Sequence, residues 1–467
     1  MNQDEPADLG VAAAAAAIRQ GDITAESYAT ALLDRARRHS DLNSFISVDE
    51  SAVLAAAQDA DRARAAGSTA PLLGVPFGVK DSYATRGLRT TLGVKTLEDF
   101  VPTRDAEIVS RIKDAGGIVF GKNTLVEMSW GLTGANGHFG QVRNPHDTDR
   151  VSGGSSSGSA VAVAARIVPA SFGSDTIGSV RVPASLTGVV GFKPTTGRWP
   201  RGGVAPVSHL LDTPGLLARG VEDCELIDRI VTNDTGVAPS GRSRLRFAYS
   251  PEHHLGLVDP EIAARFTDTL ARLRDDGAEV VGVDLGDDFS VLAQRLTWNI
   301  FFRETRHAVS EFLRHNDFPV TFDEIHHDLN PQLKEAWDQL VVPTGPGFLS
   351  PEDFEQAVSV DRPELQRRLD AVFTSQGVDA LLLPTTATPA PLISSQWTFT
   401  VAGQEVDHLF LARNTIPASG AGLPAISLPL GRTGSGLPFG LELDGRHGHD
   451  RSLLDVARRV ERVLDPV

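Results

Sequence analysis

Cysteine occurs once in 467 residues, at Cys224 within Val221-Glu222-Asp223-Cys224-Glu225-Leu226. A lone thiol excludes an intramolecular disulfide framework and a thiolate metal site. It also fits a reducing compartment, so a cytoplasmic location is expected. Long apolar runs are missing as well. No stretch of about 18 apolar residues occurs, so neither a membrane span nor a membrane partner is expected. Basic runs are equally absent: 60 Asp and Glu outnumber 44 Lys and Arg, for a formal net charge of −16. That balance argues against nucleic acid as a partner. The start, Met1-Asn2-Gln3-Asp4-Glu5, is acidic where a secretory leader would be basic, and the alanine run behind it ends at Arg19. It reads as the opening turns of a helix.

What is present is 41% hydrophobic and 22% charged residues, a balance able to bury a large core. The first 66 residues read as helical, with Gly21 as a stop, Thr24 as an N-cap and Tyr28, Leu32 and Ala36 at helical spacing. From Leu72 the texture changes to short apolar runs punctuated by Gly and Pro, and a buried strand is predicted to end at Lys80. Residues 105–122 give a helix with Ile108, Val109 and Ile112 on one face, a break at Gly116-Gly117, and a strand at Ile118-Val119-Phe120. The same order returns after the cap residue Asp259, with a helix followed by Ala278-Glu279-Val280-Val281. Two such units predict an α/β sheet. Further strands are expected at Ala380-Leu381-Leu382-Leu383-Pro384 and, as a neighbouring pair, near Ala425–Leu430 and Phe439–Leu443, with a closing helix over Ser452–Leu464. Residues 286–360 are richer in aromatics and His and are read as a cap over the site. No internal repeat and no Gly/Ser linker divides the chain, so residues 1–467 are read as a single domain.

The most unusual segment holds two Gly/Ser loops, Gly153-Gly154-Ser155-Ser156-Ser157-Gly158-Ser159 and Gly173-Ser174-Asp175-Thr176-Ile177-Gly178-Ser179-Val180-Arg181. The small-residue helix Ala160-Val161-Ala162-Val163-Ala164-Ala165 between them lets backbones approach closely. A serine hydroxyl needs a base in contact to become a nucleophile near neutral pH. A neutral amine is such a base, and burial at the end of an apolar strand penalises the ammonium form of Lys80.

These loops resemble the signature of the amidase signature family, a Gly-Gly-Ser-Ser-Gly-Gly-like loop followed by a Gly-Thr-Asp-Thr-Gly-Gly-Ser-Ile-Arg-like loop. The resemblance continues through Gly74-Val75-Pro76-Phe77-Gly78-Val79-Lys80-Asp81, Arg143-Asn144-Pro145, Gly191-Phe192-Lys193-Pro194-Thr195 and Gly440-Leu441-Glu442-Leu443. It implies a single α/β/α sandwich with a large mixed sheet covered by helices on both faces. It also implies an amide hydrolase that uses Lys80 as the catalytic lysine, Ser155 as a bridging serine behind a cis peptide bond, and Ser179 as the nucleophile of an acyl-enzyme route. The implied oxyanion hole is the backbone of Thr176, Ile177, Gly178 and Ser179, braced by Asp175 and Arg181. Lysine here takes the part that histidine plays in the better-known triad. No cofactor and no metal are implied, and a homodimer is left open.

Ile177 departs from the family's Gly-Gly-Ser. A β-branched side chain disfavours positive φ and adds bulk beside the nucleophile, so altered acyl choice with activity retained is expected. By similarity, Met128, Ser129 and Trp130 lie beside the substrate. Trp298, Phe301 and Phe302 have the spacing of one helix face, which marks core more often than pocket, and beneath a cap they suit an aromatic acyl group. Arg198-Trp199-Pro200, Asp212-Thr213-Pro214-Gly215 and Arg413-Asn414-Thr415 look most like hydrolases of indoleacetamide and mandelamide.

Three rival readings carry distinct signatures. Acyl hydrazides or anilides would pass through the same acyl-enzyme. The A subunit of a tRNA-dependent amidotransferase shares the trio, although Thr195-Thr196-Gly197-Arg198-Trp199-Pro200 departs from its pattern. Gly154-Ser155-Ser156-Ser157-Gly158 also fits the nucleophile elbow of an esterase, with Ser156 as nucleophile, but that needs a strand directly before it and Asp147–Ser152 reads as a polar turn. The adjacent pairs His253-His254 and His326-His327, the latter near Asp323, Glu324 and Asp328, match no metal-binding helix and are read as solvated surface.

Overall fold

Strand residues that point alternately to two apolar layers must be hydrophobic at every position, and the centre of this molecule is built that way. In the computed structural model, which describes residues 6–234, 236 and 244–464, all five residues of Ala380–Pro384 are buried. Leu382 enters one apolar cluster, while Leu381 and Leu383 enter another on the opposite face. Phe247 and Ala248 divide between the same two clusters. The acidic start, Met1–Glu5, lies outside the described residues.

Eleven strands form one sheet. In chain order they are β1 (Phe45–Ser47), β2 (Pro76–Lys80), β3 (Ile118–Asn123), β4 (Ala170–Asp175), β5 (Val190–Lys193), β6 (Thr213–Ala218), β7 (Arg246–Tyr249), β8 (Glu279–Gly282), β9 (Ala380–Pro384), β10 (Ala425–Arg432) and β11 (Pro438–Asp444). Their spatial order is β1-β3-β2-β4-β6-β5-β10-β11-β9-β7-β8. The sheet is mixed: β2 runs parallel to β3 and β4, whereas β4 is antiparallel to β6 and β10 to β11. The predicted helix-then-strand units are both present. Glu107–Asp114 connects β2 to its parallel neighbour β3, and Pro260–Asp275, capped by Asp259, connects β7 to parallel β8.

The N-terminal residues form helices α1 (Val11–Gln20), α2 (Ala25–Arg38) and α3 (Glu50–Ala65). Gly21 closes α1 in the left-handed region at φ 82°, and the Thr24 hydroxyl accepts from the Ser27 N–H at 3.0 Å to open α2. The all-helical reading of this stretch fails at Phe45–Ser47. Three residues are too few to show a period, and they pair antiparallel with β3 at the edge of the sheet. Asp147–Val151, read as a turn, is a strand of a two-stranded ribbon with Arg143–Asn144. The ribbon lies outside the main sheet, which explains its polar texture.

Two helices matter for the site: α4 (Ser157–Ala164), buried from Ser157 through Val163, and α5 (Arg181–Thr187). A third, α6 (Phe289–His315), is 27 residues long and spans about 40 Å. With Phe322–Asp328 and Pro331–Leu340 it packs a third apolar cluster around Met128, Phe312 and Trp337. Among the described residues no helix is long and apolar enough to cross a membrane.

Candidate active site

Lys80 is the last residue of β2, flanked by parallel β3 and β4, and is 0% exposed. Its Nζ donates to Ser155 Oγ and to Ser174 Oγ, both at 2.8 Å. Burial lowers its pKa from 10.5 to about 7, against the opposing pull of Asp212 and Asp175. Near neutral pH a large share of this lysine is therefore a free amine. A second buried lysine, Lys122 at the end of β3, differs by having an ion partner. It bonds Asp81 at 2.9 Å, the Tyr83 carbonyl at 2.7 Å and Thr90 Oγ1 at 2.8 Å.

The two Gly/Ser loops meet through Ser156. Its hydroxyl donates to the Ser174 carbonyl at 3.2 Å and accepts from the Ser174 N–H at 3.2 Å, while its own N–H donates to the Ser179 carbonyl at 3.2 Å. α4 is held just as closely: the Gly158 N–H donates to the Thr124 carbonyl at 2.8 Å, and a Cβ at Gly158 would collide with Ser44 and Thr124. That contact is the physical reason for small residues here. The Gly154–Ser155 peptide is cis. Ser155 is fully buried and Ser179 is 3% exposed. Lys80, Ser155 and Ser179 are therefore all buried, and the two loops carrying the serines are in direct contact. Ser156 is spent on holding the loops together, and the preceding strand lies outside the main sheet, so the esterase elbow is not the arrangement present.

The loop 176–180 is held by one carboxylate. Asp175 accepts from the Gly178 N–H at 2.8 Å and the Val180 N–H at 3.2 Å and pairs with Arg181 at 3.0 Å. Burial acts to raise the Asp175 pKa, but the Arg181 guanidinium overcomes this and holds it below the ordinary carboxylate value. Arg181 is itself 0% exposed and also bonds Glu442, Ser419 Oγ at 2.7 Å and the Thr415 carbonyl at 3.1 Å. Arg181→Ala leaves two carboxylates buried without their cation. Denaturant unfolding is expected to report a loss of about 3–5 kcal/mol.

This network takes one donor, Gly178, out of the expected oxyanion quartet. The Gly178 N–H is committed to Asp175, and the Thr176 side chain turns away to donate to Asp212 Oδ1 at 2.7 Å. Among the described residues, no acceptor pairs with the N–H of Thr176, Ile177 or Ser179. The concern about Ile177 moves by one residue: positive φ falls on Gly178, at 135°, and not on Ile177. Gly178 needs to be glycine for a second reason, because a Cβ there would strike Thr415, whose hydroxyl donates to the Ile177 carbonyl.

Ile177 also forms part of the wall of a cavity of about 410 Å³, within the usual size of a small-molecule site. Trp130, Leu132, Trp298, Phe301 and Phe302 line it, joined by Leu333, Trp397, His408 and Leu409. Trp298 stacks on Phe302 with centroids 5.3 Å apart, and Trp130 lies 4.8 Å from Phe301. Met128 and Ser129, expected beside the substrate, do not line it. The backbone turns through the left-handed region at both, and Met128 packs instead into the cluster of Leu92, Val309 and Phe312. A smaller cavity of about 280 Å³ reaches the other side of the loops at Ser174 and Asp212.

Sequence reasoning missed Ser174 and Asp212. Ser174 had a signal, its place inside the second loop, but its partner Lys80 is 94 residues away. Burial raises the Asp212 pKa to about 6. The His pairs were misjudged: His253 and His254 are buried, with burial lowering the His254 pKa to about 3. His326 stacks on Trp337 at 5°, leaving only His327 exposed.

Comparison with known proteins agrees with this geometry. The family model described as Amidase matches residues 28–454. The chain is 35% identical to a mandelamide hydrolase of Pseudomonas putida, covering 98% of this chain and 92% of that protein. It is 32% identical to an indoleacetamide hydrolase of Allorhizobium ampelinum, covering 96% of each. It is also 34% identical to the A subunit of a glutamyl-tRNA(Gln) amidotransferase of Roseiflexus, covering 96% of this chain and 95% of that one. A crystal structure of an amidase superposes with a TM-score of 0.87 at 31% identity, covering 98% of this chain and 100% of that one. With its mixed sheet, its two Gly/Ser loops and matches that run the length of the chain, the protein belongs to the amidase signature family and is an amide hydrolase.

Proposed function

We propose that the chain hydrolyses carboxylic amides bearing an aromatic or arylacetyl acyl group through Lys80, Ser155 and Ser179. The observation that carries this reading is a fully buried Lys80 bonded to Ser155 Oγ at 2.8 Å, in a loop whose next residue, Ser156, bonds the Ser179 carbonyl. Neutral Lys80 takes the Ser155 proton, Ser155 takes that of Ser179, and Ser179 Oγ attacks the amide carbon. The developing oxyanion is met by the N–H groups of Ile177 and Ser179, dipoles that need no reorganisation. Lys80 then returns the proton through Ser155 to the departing nitrogen. Water attacks the acyl-enzyme by the reverse relay, releasing the acid and regenerating Ser179.

The acyl group occupies the aromatic cavity, with residues 286–360 as its cap, since α6 supplies Trp298, Phe301 and Phe302 and Pro331–Leu340 supplies Leu333. The similarity to a mandelamide hydrolase and an indoleacetamide hydrolase supports this choice. Ammonia release by the purified chain from aryl and alkyl amides is the direct test, and silence across the panel would sink the proposal. Trp298→Ala is expected to lower kcat/KM for arylacetamides by roughly tenfold to a hundredfold while leaving acetamide nearly unchanged, because only the aryl group loses apolar contact. An equal loss on both substrates would place the acyl group elsewhere.

A further inference from the structure

Three imidazoles surround one carboxylate, and two of them, His209 and His315, line the smaller cavity with it. His209 Nε2 lies 3.0 Å from Glu311 Oε2, His307 Nε2 lies 3.9 Å from the same oxygen, and His315 Nδ1 lies 3.7 Å from Glu311 Oε1. One donor atom from each of His209, His307 and Glu311 falls within a sphere of contacts no wider than 4.8 Å. The arrangement has a clear origin in the fold. His307, Glu311 and His315 stand four residues apart along α6, which places them on one helix face. His209 comes from the loop before β6, about a hundred residues earlier, and the fold sets it opposite that face. Sequence inspection drew attention to adjacent histidines and not to these, whose juxtaposition is tertiary.

The geometry points to a transition-metal site, of the zinc class, formed by His209, His307 and Glu311, with water in the fourth position. Imidazole nitrogen and carboxylate oxygen are the donors that zinc takes at about 2.0–2.2 Å in four-coordinate sites. Such donors then stand a little over 3 Å apart, so the present spacing closes by side-chain rotation alone. Rotation is free to occur: the His307 side chain is 76% exposed.

Bound metal would fasten the loop carrying His209 to α6. That loop ends at Asp212, which accepts from the N–H groups of Val207 and Ser208 at 2.7 and 3.0 Å and from Thr176 Oγ1 at 2.7 Å. The same loop already touches α6 through Ser208 Oγ and the Leu210 N–H, both donating to Glu304. The site therefore acts as a clamp at the junction of α6 and the loop 176–180.

The test uses tag-free, chelator-treated full-length protein and zinc chloride, with cobalt chloride as a spectroscopic substitute. Equilibrium dialysis is expected to find one zinc held per chain, cobalt to give visible d–d absorption of a four-coordinate centre, and Tm to rise with zinc. His307→Ala is expected to weaken zinc binding by about tenfold or more, erase the cobalt bands and abolish the Tm rise, with the amide hydrolysis of the metal-free protein unchanged. Glu311→Gln should do the same to binding. Zinc held equally by wild type and both variants, or lost instead on His253→Ala, would overturn the assignment, the latter because Glu252, His253 and Asp284 form the other donor cluster among the described residues. Failure to bind zinc at all would likewise overturn it.

Discussion

Replacing Ser179 with alanine is expected to lower kcat for ammonia release by about 10⁴-fold or more, with Tm within a degree or two of the native protein. The size follows from the chemistry: without the hydroxyl there is no acyl-enzyme, and what survives is the small acceleration provided by binding and oxyanion donors alone. The unchanged stability follows from the surroundings. The contacts that hold the loop are made by the Ser179 carbonyl, the Gly178 N–H and Asp175, none of which involves the Ser179 side chain. Substrate binding should persist, so an aryl amide is expected to bind the variant with little change in Kd. Ser155→Ala offers a comparison that separates relay from nucleophile. It removes the bridge between Lys80 and Ser179 and should also cost orders of magnitude in kcat, but it leaves a hydroxyl able to react slowly with an activated ester. Ammonia release that survives Ser179→Ala would refute the relay.

Lys80→Met is expected to abolish hydrolysis while stabilising the fold, most strongly at low pH. The folded chain holds Lys80 near a pKa of about 7 in place of 10.5 because burial penalises the ammonium. Between those two values the unfolded chain binds a proton that the folded chain does not, so stability rises with pH across that window. The burden of Lys80 is fully present at and below about pH 7 and fades toward pH 10.5. Methionine, of similar length and uncharged, removes it at the cost of two hydrogen bonds, to Ser155 and Ser174. Since buried charge outweighs hydrogen bonds of about 1 kcal/mol each, the variant should unfold at a higher denaturant midpoint at pH 6, with the advantage shrinking by pH 9. In the wild type the same group governs turnover: kcat/KM should climb with pH through about 7 as Lys80 loses its proton. A variant less stable at pH 6 than at pH 9 relative to wild type would contradict the assigned protonation.

The parts of the site that could be read before folding are those whose residues are close in sequence or confined by backbone geometry. Ser155, Ser179, Asp175 and Arg181 sit in two loops separated by one short helix, and glycine marks where that backbone turns. The sheet was legible for the related reason that a fully buried strand such as Ala380–Pro384 must be apolar throughout. Phe45–Ser47 was not, because three residues carry no period, and its strand character comes only from pairing with β3. Met128 and Ser129 show another limit. Val126 before them and Trp130 to Thr133 after them line the cavity, but at these two consecutive residues with positive φ the side chains do not. The same limit applies to Gly178, since the sequence offers its N–H to substrate while the folded chain gives it to Asp175.

The sequence alone determined that the two Gly/Ser loops would be tight and that the scaffold would be an α/β sheet, and its resemblance to a family singled out one lysine and two serines. Tertiary structure decided how far the lysine's pKa falls, which backbone donors stay available and what shape the aromatic cavity has. The reason is physical. Nucleophilicity and turn geometry belong to a residue and its chain neighbours, whereas a pKa near 7, a spent N–H and an aromatic cavity arise from groups that only folding brings within contact distance.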